Sequence, residues 1–165
     1  MANVADCIDV TNPDPDACEL ATVGGMSVDS ANSGLPSDAA GGPPTAAFLR
    51  FNLNNAFAGK TVTAVALEVT VMSDVDSASV SSGEVWSVST FTRPTLFNSV
   101  PSKGVKLAGN IGPLAVNTTY QWSLPTSSVA PGAAACFGIF PISTDGVDYQ
   151  NTKGAKPPRL IVTYQ

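Results

Sequence analysis

Between residues 46 and 53 apolar and polar positions alternate with a period of two. Ala47, Leu49, Phe51 and Leu53 fall on one side, and Phe48, Arg50 and Asn52 on the other, the pattern of a strand with one face in a core. A turn-rich bridge over 54–60, containing Gly59, leads into a second alternating stretch, 61–72, whose Val65, Leu67, Val69 and Val71 can join the same core. The centre of the chain is therefore predicted to be antiparallel β.

The same reading extends outward. Residues 4–10 read as a first strand, ended by the turn formers Asn12, Pro13, Asp14, Pro15 and Asp16, and 19–28 as a second. Residues 29–45 make a long irregular loop, and loops of that length are usually functional or mobile. A polar crossing over 73–82 precedes a strand over 83–90 carrying Val85, Trp86 and Val88, followed by an aromatic-bearing loop over 91–101. Strands are predicted over 104–111 and 117–124, the latter placing Tyr120, Trp122 and Leu124 on one face. Residues 125–132 allow at most one helical turn. Strands over 134–142, 147–151 and 159–164 complete the set, with Asp145-Gly146 a strong turn between the first two. About nine strands at short spacing are the pattern of an antiparallel β-sandwich of jelly-roll type.

Bulk properties narrow the picture further. A chain of 165 residues is one domain by size, 1–165, and buries enough surface for a core of its own. Its 13 Pro and 14 Gly favour short strands with punctuated turns over long helices. A net charge of −5, with 8 scattered Lys and Arg, argues against nucleic acid, which needs a basic stripe. The start, Met1-Ala2-Asn3-Val4-Ala5-Asp6, has neither a basic nor an apolar leader region, so no signal peptide is expected in this chain. The most apolar run, 133–142, is short and broken by Gly138 and Pro141, so no membrane insertion is expected. An extracellular or virion-surface location then requires either a leader removed before Met1 or another exit route, as virion components use.

The chain contains no histidine, which removes the usual general base and the histidine-dependent nucleophile pairs and zinc sites. Glu19, Glu68 and Glu84 form no evident pair with an aspartate of the kind that hydrolyses glycosides, and catalysis is not expected. Asp6 and Asp9 near one end of the chain and Asp148 near the other are candidate ligands of a structural calcium, because first and last strands of a jelly roll often lie close. Alternatively they are turn formers and solvated strand ends. Trp86, Tyr120, Trp122 and Tyr149 are candidates for stacking on a sugar ring, or else core residues. Cys7 and Cys18 bracket a turn and either close a small disulfide loop or remain buried thiols. Cys136, in an apolar run, reads as a small packed residue.

Several stretches together resemble the DNRLRE domain, also classed as carbohydrate-binding module family 96. They are Ala5-Asp6, Asn12-Pro13, Ala47 to Leu53, the loop from Phe91 to Asn98 with Pro101, and the ending from Pro157 to Tyr164. The resemblance runs nearly end to end and implies a jelly-roll sandwich. Where the family usually has Trp, this chain has Phe91 and Phe97; where it has a Ser-basic-Glu triplet, the chain has Asn151-Thr152-Lys153. That missing carboxylate would be the natural partner of Arg50, so Asp148 or backbone carbonyls of the closing strands are expected to take its place.

Two functional expectations follow. One is a non-enzymatic structural module that assembles with copies of itself or a larger particle, such as a virion decoration or tail protein or an extracellular surface appendage. The other, implied by the resemblance, is a carbohydrate-binding module that recognises a polysaccharide.

Overall fold

The structure is a computed structural model that describes residues 2–3, 22–23, 26–27, 34–39, 45–92, 95, 99–150 and 154–165. In chain order its strands are β1 (Ala2–Asn3), β2 (Thr22–Val23), β3 (Met26–Ser27), β4 (Gly34–Ser37), β5 (Ala47–Asn52), β6 (Val62–Thr70), β7 (Glu84–Val88), β8 (Lys103–Ala108), β9 (Thr119–Leu124), β10 (Ala134–Phe140), β11 (Val147–Gln150) and β12 (Arg159–Tyr164). Single 3-10 turns occur at Val75–Ser77 and Thr126–Ser128, the second inside the stretch predicted to hold one turn at most.

The chain is all-β and antiparallel. A five-stranded sheet runs β1-β5-β10-β7-β8 and a three-stranded sheet β12-β6-β9, while β11 pairs with β4 and β2 with β3. The bridge between Val71 and Tyr149 sets β11 beside the end of β6. The two alternating stretches that first suggested a common core, β5 and β6, are not paired with each other. They lie in different sheets and meet through side chains: Ala47, Leu49 and Phe51 share one buried cluster with Val65, Leu67, Val69 and Val71. This is a sandwich core, closed by Val85, Trp122, Phe137, Ile139, Val147 and Tyr149.

The other face of β5 is also covered. Phe48 meets Phe91 and Phe140 edge-on, with ring centroids 6.0 and 5.8 Å apart, in a second buried cluster with Ala46 and Cys136. Alternation still holds, but with two apolar faces, because the loop that follows β7 brings Phe91 back over the five-stranded sheet.

Two expectations need correction. The single strand predicted over 19–28 contains two short strands paired with each other, Thr22 with Ser27 and Val23 with Met26. The long loop over 29–45 contains β4, whose Gly34–Ser37 pairs along β11. The strand predicted over 4–10 lies outside the described residues.

The end of the sandwich where β6 finishes and β7 begins is built on serines. Asn110 Oδ1 accepts from Ser82 N at 2.9 Å and Ser82 Oγ at 2.8 Å, and Ile111 N donates to Ser82 Oγ at 2.9 Å. Asp145 Oδ2 accepts from Val80 N at 2.7 Å and its carbonyl accepts from Ser79 Oγ at 2.5 Å. Gly83, at φ +72°, completes the crossing; a Cβ there would lie 2.7 Å from the Phe140 carbonyl oxygen, so only glycine fits this turn into β7.

Candidate functional site

Two of the four aromatic candidates for sugar stacking, Trp122 and Tyr149, belong to the core. Trp122 is 1% exposed and Tyr149 0%, and their rings meet edge-on at 6.0 Å. Burial of a large indole requires its N–H to find an acceptor, and Trp122 Nε1 donates to the Gly109 carbonyl at 3.0 Å. Tyr149 Oη donates to the Ser82 carbonyl at 2.7 Å, and burial, with a smaller contribution from Tyr120, pushes its pKa well above the ordinary tyrosine value. Neither residue can serve as a platform. Tyr120 is half-buried, and its Oη accepts from Ala115 N at 2.8 Å.

Trp86 lies on the outer face of the five-stranded sheet, half-buried and already covered. Lys103 Nζ sits 3.9 Å from its ring centroid and 4.3 Å from that of Phe140, a cation–π arrangement. Its Nε1 donates to Glu84 Oε2 at 3.1 Å. Glu84 also pairs with Lys106 Nζ at 2.5 Å, and chiefly through that hydrogen bond its carboxyl is held below the ordinary carboxylate value.

Of the partners expected for Arg50, the Asp148 carboxylate forms no ion pair with it. As predicted, Arg50 lies on the face opposite Leu49 and Phe51, across from Cys136 on β10 and Ala2 on β1. Asp148, however, is on β11, outside the sheet that holds Arg50. Arg50 Nε is buried with no hydrogen-bond partner, and among the described residues the ion pairs join Lys106 to Glu84 and Arg159 to Glu68. Cys136 is a buried free thiol. Asp6, Asp9, Cys7 and Cys18 lie outside the described residues, and among the described residues no group of three or more acidic or cysteine side chains could hold a metal.

The structure assembles one polar site that periodicity did not reveal. The register of β12 on β6 sets Arg159 opposite Glu68, and that of β9 sets Gln121 opposite Glu68 from the other side. Glu68 Oε1 accepts from Arg159 Nη1 at 3.3 Å and Oε2 from Gln121 Nε2 at 2.6 Å. One step along, Thr70 and Thr119 share a hydroxyl hydrogen bond of 2.9 Å. Residues 154–158 border this row, with Lys156 N donating to Gln150 Oε1 at 2.8 Å. The result is an open groove of about 410 Å³ lined by Glu68, Thr70, Thr119, Lys156, Pro157 and Arg159. It offers two cations, hydroxyls and a carboxylate already engaged on both oxygens. Such a set can hold a hydroxylated or acidic ligand by hydrogen bonds, but it presents no aromatic ring for stacking.

No protein-family model matches the chain, and no curated protein matches it. Among the described residues no helix is long and apolar enough to cross a membrane.

Proposed function

We propose that the chain is a non-enzymatic β-sandwich module, of jelly-roll type, that works by packing against copies of itself or a larger assembly, such as a virion particle or an extracellular surface appendage. The observation that supports this reading is a set of exposed aliphatic side chains at the serine-built end of the sandwich. Val75 is 82% exposed, Val80 66%, Ile142 51% and Ile111 42%. They stand on the loops 73–83, 109–118 and 141–146, which Asn110 and Asp145 tie together. Single exposed aliphatics are ordinary; four on loops that hydrogen bonds tie to one another make a candidate contact surface. The test is light scattering on a sizing column, with co-sedimentation of the chain with its parent particle. Association with the particle, or into species larger than a dimer, that is lost in Val80→Asp/Ile142→Asp supports the proposal. A strict monomer absent from every purified particle contradicts it.

A second reading, polysaccharide recognition, is favoured by the resemblance to carbohydrate-binding domains and by the Glu68–Arg159 groove. Here Arg159 and Lys156 would bind hydroxyl or carboxylate oxygens, with Thr70 and Thr119 beside them. Affinity electrophoresis on neutral and acidic glycans tests it: retardation of the wild type that Arg159→Ala abolishes supports this reading, and no retardation on any glycan removes it.

A further inference from the structure

The outer strands of the two sheets are protected unequally. β8 carries Lys103 and Lys106 and has two register irregularities against β7, both devices that discourage a further strand from adding to an edge. β9 is tied to the 109–116 segment through Trp122 Nε1 and Tyr120 Oη. β12 is less protected, with a single charge, Arg159 at its start, engaged by Glu68. Leu160, Ile161, Val162, Thr163 and Tyr164 contain no charge and no proline, its one irregularity is at Thr163/Tyr164, and among the described residues it pairs with β6 alone.

The direction of its free backbone groups follows from the register. Val71 N donates to the Thr118 carbonyl beside β9, and Met72 N to the Asp148 carbonyl on the other side. Even-numbered β6 residues from Ala64 onward therefore turn their N–H and C=O toward β12. Their partners Arg159, Ile161 and Thr163 turn toward β6, so Leu160 and Val162 direct theirs outward.

We propose that β12 pairs antiparallel with β12 of a second copy, joining the two three-stranded sheets into one continuous sheet; the proposal rests on the assembly reading and adds to it a second contact, the β12 edge, apart from loops 73–83, 109–118 and 141–146. The fitting register is centred on Ile161. Leu160 and Val162 of one copy exchange backbone hydrogen bonds with Val162 and Leu160 of the other, and Ile161 faces Ile161 across the two-fold axis. Arg159 falls opposite Thr163, so no like charges meet.

Sedimentation velocity under reducing conditions, from micromolar to near-millimolar chain, tests this. The wild type forms a dimer. Val162→Pro, which removes an outward N–H at an edge position that tolerates proline, raises the dimer dissociation constant roughly tenfold or more. Ile161→Lys, which sets two ammonium groups opposite each other, weakens the dimer as well and serves if the proline variant melts early. Hydrogen exchange at the Leu160 and Val162 amides slows as concentration rises. A dimer equally stable in both variants, or a monomer throughout, overturns the β12 pairing. In either case, co-sedimentation with the parent particle decides the assembly reading separately: a chain that still co-sediments loses the β12 pairing alone.

Discussion

Tyr149 reaches from β11 across the end of the core to the Ser82 carbonyl, at 2.7 Å. That hydrogen bond joins the strand beside β6 to the serine crossing that starts β7. Tyr149→Phe keeps the ring packed on Trp122 but leaves the Ser82 carbonyl without its donor, and is expected to destabilise by about 1–3 kcal/mol. Burial raises the phenol's pKa in the fold, so its contribution is complete below the ordinary tyrosine value of about 10 and declines as pH rises from there toward the folded value. Alkaline melts of the wild type should therefore fall more steeply than those of Tyr149→Phe.

At the acid end the same linkage runs through Glu84. Its carboxyl is held below the ordinary value mainly by Lys106, so its contribution is present above the unfolded-state pKa and is lost as pH falls through the folded one. Lys106→Met should move the Glu84 carboxyl resonance titration upward in NMR. Melting temperature near neutrality should change little, because an exposed pair contributes about 0–1 kcal/mol.

The two tryptophans should behave differently. Trp122→Ala opens the core and is expected to destabilise by about 3–5 kcal/mol. Trp86→Ala removes a half-buried ring and a lysine contact, and chemical denaturation should show a clearly smaller loss. Similar losses would mean that the outer face of the five-stranded sheet is packed as firmly as the sandwich interior.

Arg50 and Asp148 should not be coupled. Arg50→Met removes a guanidinium whose Nε is buried without a partner and keeps the aliphatic stem, so it should be tolerated or slightly stabilising. In a double-mutant cycle with Asp148→Asn the two effects should add within about 0.3–0.5 kcal/mol. Coupling above about 1 kcal/mol would restore the Arg50–Asp148 ion pair, which is not among those of the described residues.

Much of the framework was readable because alternation reports faces. Leu49 and Phe51 against Arg50, and the row Tyr120, Trp122, Leu124, were placed on the correct strands and sides. Alternation does not report neighbours. Which strand lies beside β5 is decided by long-range pairing with β10, and so Arg50 was matched with Asp148 on a strand outside its sheet. β4 is not legible in the sequence, because Gly34-Leu35-Pro36-Ser37 neither alternates nor suits a central strand, yet it pairs along β11. The aromatic residues were ambiguous for a related reason: a row on one face is equally compatible with a sugar platform and with a core, and only the position of the second sheet decides. The Glu68–Arg159 groove joins residues far apart in sequence, and its available signal was a lone glutamate inside an apolar strand, matched by an arginine opening the last one.

The central proposal is that the sandwich associates through the exposed aliphatics on loops 73–83, 109–118 and 141–146. Sedimentation of the wild type and of Val80→Asp/Ile142→Asp, each alone and mixed with the parent particle, measures this. The predicted result is association of the wild type beyond a dimer or with the particle, and loss of that association in the double variant, with both melting at the same temperature. A wild type that goes no further than a dimer and stays free of the particle, or a double variant that associates as strongly, would contradict it.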